Sequence, residues 1–172
     1  MKTVVFIDGL YLNECWEAVA GGNLDFKRLL NIFRTQTGRE LVRCHYACIV
    51  PPAHVKDRMR TLLDWLVYNG FTLIEREVAS TDDLSRITSV AAAITATALE
   101  LAPTVGHVTL VAGDDEYVPL VLALKRAGVT VELIATLEQN RSLVGDKLRR
   151  AVDIFTELGE IVDRLEGDER PA

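Results

Sequence analysis

The segment that decides the fold is His107–Tyr117, which reads HVTLVAGDDEY. It opens with an apolar run typical of a buried β-strand, and the residues that follow it, Val118–Leu124, have the pattern of a helix. Three acidic residues, Asp114, Asp115 and Glu116, therefore crowd a strand-to-helix turn. Ligands of open α/β sheets bind at this edge, and neighbouring carboxylates repel one another unless a cation or a proton lies between them.

A second acidic residue follows another strand. Asp8 comes directly after the apolar run Thr3–Ile7, at the start of the chain. Because the carboxyl ends of parallel strands meet at one edge of a sheet, we expect Asp8 and Asp114 to lie close enough to share one metal ion. The alternative for each is helix capping, since Asp is favoured at the residue before a helix.

Strand and helix patterns alternate along the whole chain. The predicted strands are Thr3–Asp8, Leu41–Val50, Phe71–Val78, His107–Ala112 and Val129–Ala135. The predicted helices are Tyr11–Ala20, Asp25–Thr37, Val55–Tyr68, Leu84–Ala102, Glu116–Ala127 and a last one over about Gly145–Leu165. This alternation predicts a three-layer α/β/α fold with a parallel sheet between two layers of helices. We expect a single domain over residues 1–166 and a disordered tail over residues 167–172.

One predicted helix is unusually apolar. Ser89–Leu99 carries no charged residue and is rich in alanine and threonine. A helix that is apolar all round is expected to be buried. Its small side chains would also allow close packing against a partner chain, so a homodimer is compatible with the sequence.

Composition favours a soluble globular protein. The chain has 172 residues, 49% of them hydrophobic and 26% charged, and it contains neither an apolar run of membrane-spanning length nor a signal-peptide pattern. We therefore expect a cytoplasmic protein with no membrane contact. The net charge of −6 argues against a general nucleic-acid coat protein, although basic residues concentrate in the first third of the chain. Cys44 and Cys48 share one face of a strand, and we expect buried free thiols rather than metal ligands.

Four motifs in order carry a family resemblance. They are Phe6–Gly9, then Gly113–Tyr117 with Val118–Leu120, then Gly128–Val131, and finally Ser142 with Leu148–Phe155. In this order and spacing the chain resembles the NYN domain family, a branch of the PIN-like nucleases, in its small bacterial form. The resemblance covers nearly the whole chain. It implies a parallel sheet of strand order 3-2-1-4-5, and hydrolysis of RNA phosphodiesters with Mg²⁺ or Mn²⁺ held by carboxylates.

The sequence departs from that family at the positions that matter most for catalysis. Tyr11 stands where the family has Asn, and Ser89 and Thr95 stand where it has two Asp residues. Glu116 replaces the second Asp of the signature. The candidate catalytic residues are therefore Asp8, Asp114 and Glu116, with Asp8 and Asp114 as the metal ligands. A less favoured alternative lets Asp82 and Asp83 reach in from the preceding loop.

Three functions stay open at this point. The favoured one is a non-catalytic or weakly active regulator that binds RNA, a nucleotide or a protein partner. The second is a Mg²⁺- or Mn²⁺-dependent ribonuclease with an incomplete set of acids. The third is a different small-molecule enzyme on the same scaffold, with Tyr11, Ser89, Thr95 and Thr97 lining a more neutral pocket.

Overall fold

The computed structural model describes residues 1–20, 23–50, 58–77, 82–137 and 144–167. The strands are Lys2–Asp8 (β1), Glu40–Val50 (β2), Phe71–Glu77 (β3), His107–Val111 (β4), Thr130–Ala135 (β5) and Ile154–Glu157 (β6). The helices are Gly9–Ala20 (α1), Phe26–Arg34 (α2), Arg58–Tyr68 (α3), Asp83–Leu101 (α4), Val118–Arg126 (α5), Asp146–Ala151 (α6) and Leu158–Gly167 (α7). The predicted tail beyond residue 167 lies outside the described residues, as does the motif residue Ser142.

The strands form one parallel sheet of six strands in the order β3-β2-β1-β4-β5-β6. This confirms the predicted α/β class. The order of the first five strands is also the predicted one. The strand order reverses direction at β1 and β4, which are adjacent, so Asp8 and Asp114 come to the same part of the carboxyl edge.

The predicted last helix over Gly145–Leu165 is wrong. That segment contains α6, then β6, then α7. Ile154, Phe155 and Thr156 are β-branched or aromatic, and they pair with β5 from Glu132 to Ile134. Just before β6, Asp153 accepts a hydrogen bond from the Val131 backbone N–H at 2.9 Å. The helix therefore ends at Ala151, and the chain adds a sixth strand at the sheet edge.

The helices lie on both sides of the sheet. Connections between parallel strands are right-handed, so the helices that lead from β1 out to β3 and those that lead from β3 back to β6 cover opposite faces. On one face, Phe26 at the start of α2 packs edge-on against Tyr46, and α1 and α2 contact α7. On the other face, α4 packs across β1, β2 and β3 and contacts α5.

The apolar helix α4 is buried on one side only, so the prediction of a fully buried helix is wrong. Val90, Ala91, Ile94 and Ala98 are buried against the sheet, whereas Ala92, Ala96 and Leu99 are exposed. Asp83–Thr104 is also, within the described part of the chain, the one segment long and apolar enough to span a membrane by length and composition. In this structure it forms the outer layer of the α/β domain.

Two buried histidines make the domain sensitive to acid. His45 stacks on Phe6 with ring centroids 4.8 Å apart, and neither of its ring nitrogens has a hydrogen-bond partner among the described residues. Burial, with a smaller contribution from the Arg43 charge, lowers the pKa of His45 to about 4. Burial also lowers the pKa of His107 to about 4. Both rings are therefore neutral in the folded protein near neutral pH.

We predict that stability falls as the pH drops from about 6.5 towards 4. In that range the unfolded chain binds protons on these histidines and the folded protein does not, so protonation favours unfolding. His45→Phe keeps the stacked ring and removes one titrating group. Chemical denaturation at several pH values should show a flatter dependence for this variant, with about 2 to 3 kcal/mol less loss by pH 4. An unchanged slope would show that His45 does not contribute.

Candidate functional site at the carboxyl edge of the sheet

Asp8 is the last residue of β1 and directly precedes α1. Its Oδ1 accepts hydrogen bonds from the backbone N–H groups of Leu10 at 3.0 Å and Tyr11 at 3.2 Å. These are unpaired donors of the first turn of a helix, so Asp8 is an N-terminal cap. Gly9 allows this tight junction, because a Cβ atom there would lie 2.6 Å from the Ala47 carbonyl oxygen.

The second oxygen of Asp8 is also engaged. The Tyr117 hydroxyl donates a 2.6 Å hydrogen bond to Asp8 Oδ2, and the Tyr117 side chain is fully buried. The Asp8 residue is itself only 1% exposed. Burial raises the pKa of its carboxyl above the usual value, the three hydrogen bonds oppose this rise, and the nearby charge of Asp114 adds to it. Asp8 is therefore a buried carboxyl with a protein donor on each of its oxygens.

Tyr11 fills the space beside Asp8. Its ring is buried, and its hydroxyl accepts a hydrogen bond from the Thr136 backbone N–H at 3.0 Å. This bond ties the start of α1 to the end of β5. Burial raises the pKa of Tyr11 far above its ordinary value, so the hydroxyl stays neutral. The residue that replaces the family's Asn thus has a structural role at the centre of the predicted site.

Asp114 differs from Asp8. Its backbone carbonyl closes the 3-10 turn over Asp115–Tyr117, but its side chain makes no capping hydrogen bond. Burial raises the pKa of the Asp114 carboxyl, and the charges of Glu14, Glu116 and Asp115 raise it further. Of the two acids for which capping was the alternative, Asp8 is therefore a cap and Asp114 is not.

The other acids of the signature have separate positions. Glu116 is exposed, and it acts on Asp114 through its charge. Asp115 faces α6, where its Oδ1 accepts a hydrogen bond from the Leu148 backbone N–H at 2.9 Å. Gly145 leaves room for this contact, since a Cβ atom there would lie 2.0 Å from Asp115 Oδ1. Asp115 therefore joins the signature turn to α6.

Helix α4 supplies no acid to the site. Ser89 is half-buried, and its Oγ accepts a hydrogen bond from Arg76 Nε at 3.1 Å. Thr95, six residues further along α4, is also half-buried. Asp82 caps the start of α4 through the Ser85 backbone N–H, and Asp83 forms an exposed ion pair with Arg86. Both side chains are therefore engaged at the start of α4.

Sequence reasoning missed three residues of this edge. Glu14 lies one helical turn after Tyr11, and that spacing was a usable signal. Tyr117 belongs to the motif Gly113–Tyr117, but its hydroxyl was not recognised as a partner of Asp8. Glu157 ends β6, and both of its carboxylate oxygens accept from the Leu137 backbone N–H, at 3.2 and 3.0 Å. It was missed because β6 was predicted as helix.

The arrangement as it stands does not fit a tightly bound divalent cation. Such an ion needs carboxylate oxygens that face a common, accessible point. Both oxygens of Asp8 are occupied by protein donors. Within the described ranges no group of three or more His, Cys, Asp or Glu side chains has the geometry to hold a metal. Asp114, with the charges of Glu14 and Glu116 nearby, is half-buried and makes no side-chain capping hydrogen bond, so its carboxylate stays available to solvent ions.

Comparisons with known proteins identify the family and a similar fold. No curated protein matches the chain. A crystal structure of a protein of unknown function from Vibrio parahaemolyticus is similar, with 22% identity, a TM-score of 0.74, and coverage of 93% of this chain and 94% of that one. An S. aureus homoserine dehydrogenase matches at 11% identity and a TM-score of 0.29, over 92% of this chain and 33% of that chain, which is too low to indicate a shared fold. The family model for the NYN domain matches residues 2–159, and the chain therefore belongs to the NYN domain family.

Proposed function

We propose that this protein is a non-catalytic or weakly active NYN domain that acts by binding RNA, a nucleotide or another protein. The observation that carries the proposal is the state of Asp8. Its carboxyl accepts hydrogen bonds from Leu10, Tyr11 and Tyr117 and is almost completely buried. A metal ligand must present an oxygen to the ion, whereas this carboxyl holds together the ends of β1, α1 and the signature turn.

The substitutions at the family's site positions support the same conclusion. Tyr11 adds a buried ring and a bond to β5, and Ser89 binds Arg76. The Arg76 guanidinium therefore contacts Ser89, which is one of the two positions where family members carry an acid. Loss of two carboxylates removes the ligands for a second ion and for a fixed attacking water.

Ribonuclease activity is the second candidate, and one observation favours it. Asp114 is only half-buried, has no side-chain capping bond, and lies near the charges of Glu14 and Glu116. Mg²⁺ is commonly bound by one or two carboxylates together with waters and substrate phosphates. Asp114 would be the principal ligand of such a weak site, and Glu14 and Glu116 would supply further negative charge.

The test is Mn²⁺ calorimetry on the wild type and on Asp114→Asn, with single-stranded RNA cleavage assays on the same highly purified proteins. We expect no submillimolar Mn²⁺ binding and no metal-dependent cleavage. We also expect Asp114→Asn to stabilise the fold by up to about 1 kcal/mol, because it relieves repulsion at a half-exposed position. Mn²⁺ binding and cleavage that both disappear in Asp114→Asn would establish the ribonuclease instead.

A further inference from the structure

A groove lies between α1 and α3. Its volume is about 900 Å³, and its lining includes Asn13, Trp16 and Glu17 of α1, Asp25 ahead of α2, and Leu62 and Trp65 of α3. We call it the α1–α3 groove. A cleft of this size, with an apolar floor and a few polar groups, is typical of a binding site.

The exposed part of the floor is aromatic and aliphatic. Trp65 and Leu62 are each 37% exposed, whereas Leu63 and Leu66 of the same helix are buried. Lys27 Nζ lies 5.6 Å from the centre of the Trp65 ring. This distance is that of a cation–π contact, so the chain's own lysine shows that the Trp65 face accepts a cation.

The rim of the groove adds negative charge. Glu17 is exposed and has no ion-pair partner among the described residues. Asp25 caps α2 through the Arg28 backbone N–H, and Arg28 Nε lies 3.6 Å from its carboxylate, which offsets part of its charge. The charged residues among the described lining of the groove, Glu17 and Asp25, are both acidic, so a cationic group is favoured there over an anionic one.

We propose that the α1–α3 groove binds a basic segment of a partner protein. An arginine or lysine side chain of the partner stacks on Trp65 and places its charge near Glu17, and an aliphatic side chain of the partner packs on Leu62. In the bound state the partner's cation takes the position that Lys27 now holds over Trp65. The inference rests on the proposed binding function, and it specifies a protein as the partner.

The experiment measures fluorescence anisotropy with a labelled peptide of alternating arginine and leucine. A peptide with glutamate in place of arginine is the charge control, and single-stranded oligoadenylate RNA is the competing probe. Trp65→Ala and Glu17→Gln test the groove. Tyr68→Ala removes an aromatic residue that is 87% exposed on the same helix but does not line the groove, and Glu100→Gln removes an exposed charge on α4.

We expect the basic peptide to bind, with affinity reduced about tenfold by Trp65→Ala and about threefold by Glu17→Gln. The two control variants should stay within about twofold of the wild type. Binding that falls equally in test and control variants, absence of peptide binding, or Trp65-dependent binding of the RNA alone would each overturn the inference. Metal-dependent RNA cleavage by the wild type would instead overturn the proposed non-catalytic function, and the peptide result would still report on the groove.

Discussion

Asp8→Ala is expected to lower the free energy of unfolding by about 3 kcal/mol, because it leaves two buried donors and one part-buried donor without their acceptor. The donors are the backbone N–H groups of Leu10 and Tyr11 and the hydroxyl of Tyr117. Relief from burying a carboxylate offsets part of this loss. For a domain of this length the change corresponds to a fall in Tm of about 6 to 12 °C, which thermal and urea denaturation would both detect.

Asp8→Asn is the matched control. The amide keeps an oxygen that accepts from the first turn of α1, and its NH₂ group donates to the Tyr117 hydroxyl, which is also an acceptor. It carries no charge, so the cost of burying a carboxylate disappears. We expect its stability to stay within about 1 kcal/mol of the wild type. Tyr117→Phe, measured with Asp8→Asn in a double-mutant cycle, would report the coupling between the two side chains directly.

Comparing Asp8→Ala with Asp114→Asn distinguishes an acid that stabilises the fold from an acid that belongs to an active site. Acids of an active site repel one another and are held in place at a cost to stability, so their removal commonly stabilises a fold. We expect Asp114→Asn to stabilise the fold and Asp8→Ala to destabilise it. If both substitutions stabilise the protein, Asp8 is an accessible member of an acid cluster, and the non-catalytic proposal loses its principal support.

Much of the fold could be predicted because its signals are local. Apolar runs bounded by turn residues predicted five of the strands, and Gly70 and Gly128 adopt positive φ angles where helices were expected to end. The order of these strands was implied by the family resemblance, and the structure has it. The sixth strand was missed because Ile154–Glu157 is four residues long and lies between two short helices, so no periodicity spans it. Its position depends on pairing with β5, which is a tertiary effect.

The candidate site could be predicted only in outline. Two acids at strand ends are visible in the sequence, and the adjacency of β1 and β4 brings them to one edge. What the sequence does not contain is the partner of each carboxyl. Tyr117 and Asp8 are 109 residues apart, and Thr136 and Tyr11 are 125 apart. Hydrogen bonds over such separations distinguish a metal ligand from a buried cap, and they follow only from the packed structure.

Restoring the missing acids alone is expected to raise Mn²⁺ affinity little. In Ser89→Asp the new carboxylate would lie beside Arg76, whose guanidinium now contacts Ser89, and an ion pair there competes with a metal. Asp8 would also remain engaged by Tyr117. The double variant Ser89→Asp/Thr95→Asp should therefore bind Mn²⁺ within about threefold of the wild type in calorimetry.

Adding Tyr117→Phe and Arg76→Ala to that double variant is expected to raise Mn²⁺ affinity at least about tenfold over the wild type. Tyr117→Phe releases Asp8 Oδ2, and Arg76→Ala removes the competing cation, so up to four carboxylates, including Asp114, become available at one edge. Asp114→Asn in this background is the control and should abolish the gain. A double variant that already gains the full tenfold would show that neither Tyr117 nor Arg76 blocks the site. No gain in the quadruple variant would show that positions 89 and 95 do not face Asp8, and the alignment of α4 with the family would then be wrong.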